Sequence, residues 1–305
     1  MPIEKVNALF GVKAPDAAVI KTKAAKPYDK NYFFHDIVLK KLILWMSKDT
    51  PNRNVFIPGD GGTGKTSLFV EFGARMGEEV YAKSCSGRTR FADLVGSLII
   101  AEDGTTKFVD GPLTKVYRNG GIFLANEITR MDAGEQMLLV DVLDKRSYLT
   151  IAETGEMIYP HDDFRFAATG NSVGFGDESG GYAGEKRSSN AFLDRFWKIV
   201  LPELTEEQEI EVCQRYAPSL TDDVVKGMTK LARETRKQFI GNGGSLRICI
   251  QTRALFSWAT LSEHYVMMKG IDPLLESLND SVLNAAPGLE RQAISEIYTA
   301  WINGK

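Results

Sequence analysis

The chain is expected to fold as an α/β domain with a largely parallel sheet, followed by a smaller all-helical region. Three observations predict this. Short apolar runs alternate with helix-like stretches from Asn31 to about residue 203, the pattern of a parallel sheet covered by helices on both faces. Between one such run and the next helix stand Gly59-Asp60-Gly61-Gly62-Thr63-Gly64-Lys65-Thr66, which match G-x-x-x-x-G-K-[ST]. After Pro202 strand-like runs stop and helical periodicity takes over.

Residues 1–30 hold a short apolar patch, Val6 to Val12, and then a segment rich in Ala, Lys and Pro, Lys13 to Lys30; together they read as an arm and linker. Phe33 to Met46 reads as a helix with Ile37, Leu42 and Trp45 near one face. Strand-like runs follow at Val55–Ile57, Val80–Lys83, Ile122–Ala125, Phe164–Thr169 and Lys198–Leu201. Gly64–Met76 and Ala133–Asp144 are expected as helices between them. Two hairpins interrupt the alternation. In the first, Leu98–Ala101 and Lys107–Val109 flank Glu102-Asp103-Gly104; in the second, Tyr148–Ile151 and Glu156–Tyr159 flank Glu153-Thr154-Gly155. Either can be a surface decoration or a working part. Residues 31–203 therefore form one domain with two hairpin insertions, and 204–305 a helical lid. Within the lid, Thr205 and Gln208 make a capping box. Asp222–Phe239, Ser245–Met268 and a last stretch holding Ile294, Ile297 and Trp301 are expected as helices.

The bulk properties exclude several classes. Of 305 residues, 43% are hydrophobic, enough for a sizeable core. The net charge of −3 argues against a surface coated for nucleic acid. Cys85, Cys213 and Cys249 are odd in number and widely spaced, as expected of small core residues in a reducing compartment. His35, His161 and His264 lack metal-ligand spacing. No apolar run approaches a membrane span, and the first thirty residues lack a signal peptide's apolar core. A cytoplasmic location is expected, with no membrane partner.

The chemistry gathers around the glycine-rich run. Its glycines let backbone N–H groups turn toward phosphate oxygens, and the following helix faces them with its positive end. Lys65 can supply a cation to the outer phosphates of ATP, Thr66 a hydroxyl to Mg²⁺, and Ser67 continues the loop into the helix. Ile122-Phe123-Leu124-Ala125-Asn126-Glu127 has the form of a Walker B strand, with Glu127 able to polarise the attacking water. Asn126 stands where such strands carry Asp. It can accept a hydrogen bond but brings no charge, so its role at Mg²⁺ would be indirect and the metal held more weakly. Asn171, after the Phe164–Thr169 strand, is either a contact to the γ-phosphate or a turn residue. Arg195, after a short helix, is either an arginine finger for a neighbouring subunit or half of an intramolecular ion pair; Arg187 is a weaker candidate for the finger. Arg247 is expected to open the Ser245–Met268 helix, either reaching over the phosphates or lying in solvent.

In this order the phosphate loop, Walker B strand, sensor-1 Asn171, finger Arg195 and sensor-2 Arg247 resemble the AAA+ ATPases. Within them the chain looks like the MoxR branch, and most like the family of the small ATPase subunit of aerobic cobaltochelatase. The stretch from Ala168 through Asn171, Gly174 and Asp177 carries that likeness, continuing by Gly180, Tyr182 and Gly184 to Asp194-Arg195. Val6–Val12, Asp110-Gly111-Pro112-Leu113 and Pro160-His161 also fit. The resemblance implies a ring, a hexamer as the expected size, since a finger in trans requires a neighbour. It implies ATP hydrolysis that moves a partner protein carrying a von Willebrand A-type domain. In a chelatase, the motor would drive Co²⁺ into a corrinoid held by a large subunit. A MoxR-type chaperone outside cobalamin synthesis is the alternative within the family. A nucleic-acid motor, against which the acidic balance counts, and a nucleotide-gated scaffold, which Asn126 favours, are the alternatives outside it.

Overall fold

A computed structural model describes residues 3–303 except 16–17, 51, 145–147, 175, 177–183, 185, 240–243 and 245. It divides into two units. One comprises Met1–Asp29, Phe34–Gly61 and Lys65–Leu201; the other comprises Lys30–Phe33, Gly62–Gly64 and Pro202–Lys305.

The first unit begins with strand β1 (Ile3–Lys5), helix α1 (Val6–Phe10) and strand β2 (Val19–Lys21), which pairs antiparallel with β1. Helix α2 (Asp36–Met46) leads to β3 (Asn54–Pro58), α3 (Lys65–Met76), β4 (Val80–Ser84) and α4 (Phe91–Val95). The first hairpin is β5 (Gly96–Ile100) with β6 (Thr106–Asp110). Then come α5 (Pro112–Asn119), β7 (Gly121–Asn126), α6 (Ala133–Leu138) and α7 (Val140–Leu143). The second hairpin is β8 (Leu149–Ile151) with β9 (Glu156–Ile158). Strand β10 (Phe164–Gly170), helix α8 (Asn190–Leu193) and β11 (Trp197–Lys198) complete the unit.

Five strands form one parallel sheet in the order β11-β3-β10-β7-β4. Every residue of β3 and β10 is buried, as expected of strands covered on both faces. Aromatic rings fill the space on one face: Phe123 meets Phe166 at 5.1 Å, and Phe196 meets Phe166 at 5.9 Å and Phe192 at 5.1 Å. At the other end of β10, buried Arg165 donates to the carbonyls of Trp45 (2.8 Å), Met46 (3.0 Å) and Ser47 (2.9 Å), satisfying the last turn of α2.

Several elements differ from the sequence reading. The arm and linker expected over residues 1–30 packs onto the first unit. Phe10 is buried, edge-on to Phe34 and stacked on Phe72. Arg75 of α3, 2% exposed, is one reason for this order. It pairs with Glu71 (2.6 Å), donates to Leu9 O (3.1 Å) and Asp29 O (2.6 Å), and lies 4.2 Å from the Tyr28 ring centre. A segment without periodicity of its own is thus held by residues far along the chain: by Arg75, by the Phe34 and Phe72 rings, and by the carbonyls of Ala74 and Met76, which accept from Lys26 N and Lys23 N. The strand expected over Lys198–Leu201 is limited to Trp197–Lys198, with one further bond from Ile199 N to Phe56 O (3.0 Å). The helix expected over Ala133–Asp144 is two short helices meeting at Leu139.

The second unit is helical: α9 (Glu206–Tyr216), α10 (Asp222–Lys237), α11 (Thr252–Tyr265), α12 (Pro273–Ser281) and α13 (Gly288–Asn303). Thr205 and Gln208 form the expected capping box at α9. Leu255, Trp258, Met228, Leu278 and Ile294 share its core. Fully buried Glu209 is held by Arg233 (3.0 Å) and Arg236 (2.7 Å), the pairing that makes a buried carboxylate tolerable. The helix expected from Ser245 starts only at Thr252. The backbone before it is drawn to α10, with Leu246 N on Gln238 O (2.7 Å), Ile250 N on Thr235 Oγ1 (3.0 Å) and Ile250 O accepting from Arg236 (2.7 Å). Those groups cannot also serve a helix. Ser245 itself lies outside the described residues.

Replacing Arg75 by Met should destabilise the protein by about 3–5 kcal/mol, the scale of breaking a buried pair while leaving its carboxylate in place. Urea unfolding followed by tryptophan fluorescence reads this directly. A wild-type midpoint would show that Arg75 does not anchor the N-terminal segment.

Candidate active site

The sheet register brings the functional strand ends together. β10 lies between β3 and β7, pairing Ala168 with both Phe56 and Ala125, and Gly170 with Pro58. The loops leaving β3, β7 and β10 therefore emerge at one level. The chain runs from β3 to the far edge at β4, returns through β7 to β10, and then crosses β3 to β11. Connections that diverge in this way open a crevice at the carboxyl ends of the strands, where α/β folds bind ligands. Gly59 N donates to Gly170 O (3.2 Å), closing the seam between the loop and β10. Gly170 is needed there, because a Cβ would stand 2.7 Å from Thr129 Oγ1.

Within the glycine-rich run, Gly59, Gly62 and Gly64 have φ of 140°, 82° and 89°, conformations that side chains disfavour. Helix α3 begins at Lys65, so the run ends on a helix N-terminus. Lys65 Nζ is held by Gly59 O (2.5 Å), Asp60 O (2.7 Å) and Asn171 Oδ1 (3.2 Å). Asn171 is thus brought to the loop lysine, as a residue expected at the outer phosphates must be. Ser67, in the first turn of α3, is exposed.

Thr66, Asn126, Glu127 and Thr169 form one hydrogen-bonded group. Asn126 Oδ1 accepts from Thr66 Oγ1 (2.5 Å) and Thr169 Oγ1 (2.7 Å), and Thr169 Oγ1 accepts from Glu127 N (3.0 Å). Glu127 has φ 56° and ψ 43°, the only positive φ outside glycine among the described residues. Such a conformation costs on the order of 1–3 kcal/mol and marks functional sites. Its carboxylate pairs with Arg130 at 3.0 Å and is a third exposed. Thr66 Oγ1, held by Asn126 behind it, offers a hard oxygen donor of the kind Mg²⁺ takes, and the glycine loop supplies the cradle a triphosphate needs, so the residues present fit Mg²⁺·ATP. Nearby Cys85 is buried, and burial pushes its thiol up to about 12, so it stays a neutral core group.

One of the two candidate arginines, Arg247, differs from expectation in its position. Arg195 sits after α8 and makes an intramolecular ion pair with Asp144 at 3.4 Å; it also donates to Ala191 O. Arg247 does not open α11; it is exposed in the non-helical stretch ahead of it. The arginine in the first turn of α11 is Arg253, for which Thr252-Arg253-Ala254 ahead of an apolar run was the available signal. Arg187 is exposed. Phe175, Asp177, Gly180 and Tyr182 of the stretch singled out in the sequence lie outside the described residues. The sequence reading missed Thr169 as a hydrogen-bonding residue. It also missed Arg118 of α5, which binds Asp110 at the end of β6 (2.9 Å) and Glu156 of β9 bidentately (both 2.6 Å), joining the two hairpins.

Residues 54–196 match the family described as AAA domain (dynein-related subfamily). Aerobic cobaltochelatase subunit CobS from a Sinorhizobium species is 28% identical over 256 residues, 81% of this chain and 74% of that protein. Protein NorQ from Paracoccus denitrificans is 26% identical over 226 residues, 73% of this chain and 80% of the relative. Among solved structures, Thermotoga maritima RuvB superposes with a TM-score of 0.52 at 17% identity, covering 85% of this chain and 74% of that one. That likeness concerns the fold, an AAA+ P-loop module with a helical region after it.

Asn126→Asp adds a carboxylate beside Thr66 and should lower the Mg²⁺ concentration needed for half-maximal activity, with turnover equal or faster. A titration of phosphate release against Mg²⁺ decides this. Loss of activity would mean that the group around Thr66 and Thr169 works only with a neutral residue.

Proposed function

We propose that this AAA+ ATPase of the MoxR and CobS-like family hydrolyses ATP in a ring of identical subunits and uses the cycle to remodel a partner protein. The observation that carries the reading is the convergence of Lys65, Thr66, Asn126, Glu127 and Asn171 at three adjacent strand ends. Lys65 and the loop amides bind and orient the β- and γ-phosphates. Asn171 and Lys65 hold the terminal phosphoryl group from one side. Glu127, at the end of the neighbouring strand β7, orients water for attack and receives its proton. Mg²⁺, held through Thr66 with Asn126 behind it, would neutralise charge on the phosphates.

Besides Lys65, the described site holds Arg130, and that cation is paired with Glu127 at 3.0 Å; a neighbouring subunit could supply a further one for the transition state. Arg195 is the proposed donor in trans. Its present pair with Asp144 is half-exposed on the acid side, and such pairs are worth little, so releasing it costs little. The hairpins joined by Arg118 are the proposed contact to the remodelled protein. Likeness to CobS supports a chelatase motor working with a large subunit, and a von Willebrand A-type partner is the wider family expectation. A second reading, a nucleotide-gated scaffold with little turnover, is favoured by the neutral Asn126.

Lys65→Ala should abolish binding of a fluorescent ATP analogue, whereas Glu127→Gln should bind it normally and release no phosphate. Wild-type turnover in the Glu127 variant would remove that residue from the mechanism; no turnover in the parent protein, with binding intact, would select the scaffold.

Arg195→Ala should keep ATP affinity and lower hydrolysis by about 10³-fold, the scale of a lost arginine finger. Mixed with Lys65→Ala, it should regain partial activity, because some interfaces then combine an intact loop with an intact arginine. Mixed assemblies seen by native mass spectrometry without recovery would leave Arg195 as the intramolecular partner of Asp144.

A further inference from the structure

We infer that Thr169 is the positioning residue that lets a neutral Asn126 serve in place of a carboxylate. This rests on the ATPase reading above. Thr169 is fully buried, so its hydroxyl proton must find an acceptor inside the protein. Its oxygen already accepts the Glu127 amide (3.0 Å), and its proton goes to Asn126 Oδ1 (2.7 Å).

That single donation decides which way the Asn126 amide faces. A carboxylate presents an acceptor whichever way it turns, but an amide has one oxygen and one NH₂ group. With the oxygen held by Thr169, the Thr66 hydroxyl meets an acceptor and donates to it at 2.5 Å. The lone pairs of Thr66 Oγ1 then remain for a divalent cation. Were the amide reversed, its N–H would occupy a Thr66 lone pair and place a donor beside the metal. The same hydroxyl fixes the amide of Glu127, whose φ of 56° needs support. Thr169 thus sets the state of Thr66 and the placement of Glu127 from a position that need touch neither nucleotide nor metal.

The inference separates from a packing role by comparing the Thr169 variants in two backgrounds. Thr169→Val keeps the shape and removes the hydroxyl. It should raise the Mg²⁺ requirement and lower kcat together by about 10–100-fold, the range seen when a partner behind a metal ligand is lost. KM for ATP should change little, since Lys65 and the loop are untouched. Thr169→Ser should restore near-parent values. In the Asn126→Asp background Thr169→Val should cost about tenfold less, because either carboxylate oxygen can accept from Thr66. An equal loss in both backgrounds, or a Thr169→Val variant like the parent, overturns the inference. Should Thr169→Val not fold by circular dichroism, Thr169→Ala against Thr169→Ser makes the same comparison. Affinity of a fluorescent ATP analogue with and without Mg²⁺ is read in parallel. If the parent does not hydrolyse ATP, the ATPase reading fails, and an unchanged Mg²⁺ dependence of binding in Thr169→Val separately overturns this one.

Discussion

The parallel insertion of β10 between β3 and β7 is the constraint on which the rest of the first unit depends. It levels the ends of three buried strands, so that Gly59, Asn126 and Asn171 leave the sheet side by side. A register shift of one residue would reverse which side chains face which layer. Thr169 would then no longer reach Asn126, and Asn171 would leave Lys65. The aromatic packing of Phe123, Phe166 and Phe196 opposes any such shift.

Buried charge is handled the same way in both units. Arg75 and Arg165 in the first unit spend their donors on backbone carbonyls or a nearby carboxylate, and Glu209 in the second is matched by two arginines. Burial, with the nearby Arg53 charge, lowers the Arg165 guanidinium from its ordinary value, and the carbonyl cage supplies what water would have. Each of these groups also does topological work. Arg75 fastens the N-terminal segment to α3, Arg165 joins β10 to α2, and Glu209 joins α9 to α10.

The active group combines strain and substitution. Glu127 is held in the left-handed region by hydrogen bonds to and from its backbone and by Arg130. Asn126 gives up the charge usual at that position and is instead polarised by two hydroxyls.

What the sequence by itself determined was local. The glycine-rich run, the alternation of apolar runs and helices, both hairpins and the Thr205–Gln208 box each depend on residues a few positions apart, whose periodicity or turn chemistry can be read directly. The sequence spacing could place Lys65 and Thr66 at the start of a helix and Asn126, Glu127 and Asn171 at strand ends, which is where they stand. Tertiary structure decided the rest. Thr169 meets Asn126 across 43 residues, Arg75 meets Leu9 across 66, and Arg195 meets Asp144 across 51. Arg247 lost its place in α11 because Thr235 and Arg236, on a different helix, took the backbone groups that a helix would have used. Such contacts have no local signature: they arise from strand order and register, which fix distances only once the whole sheet and bundle have closed.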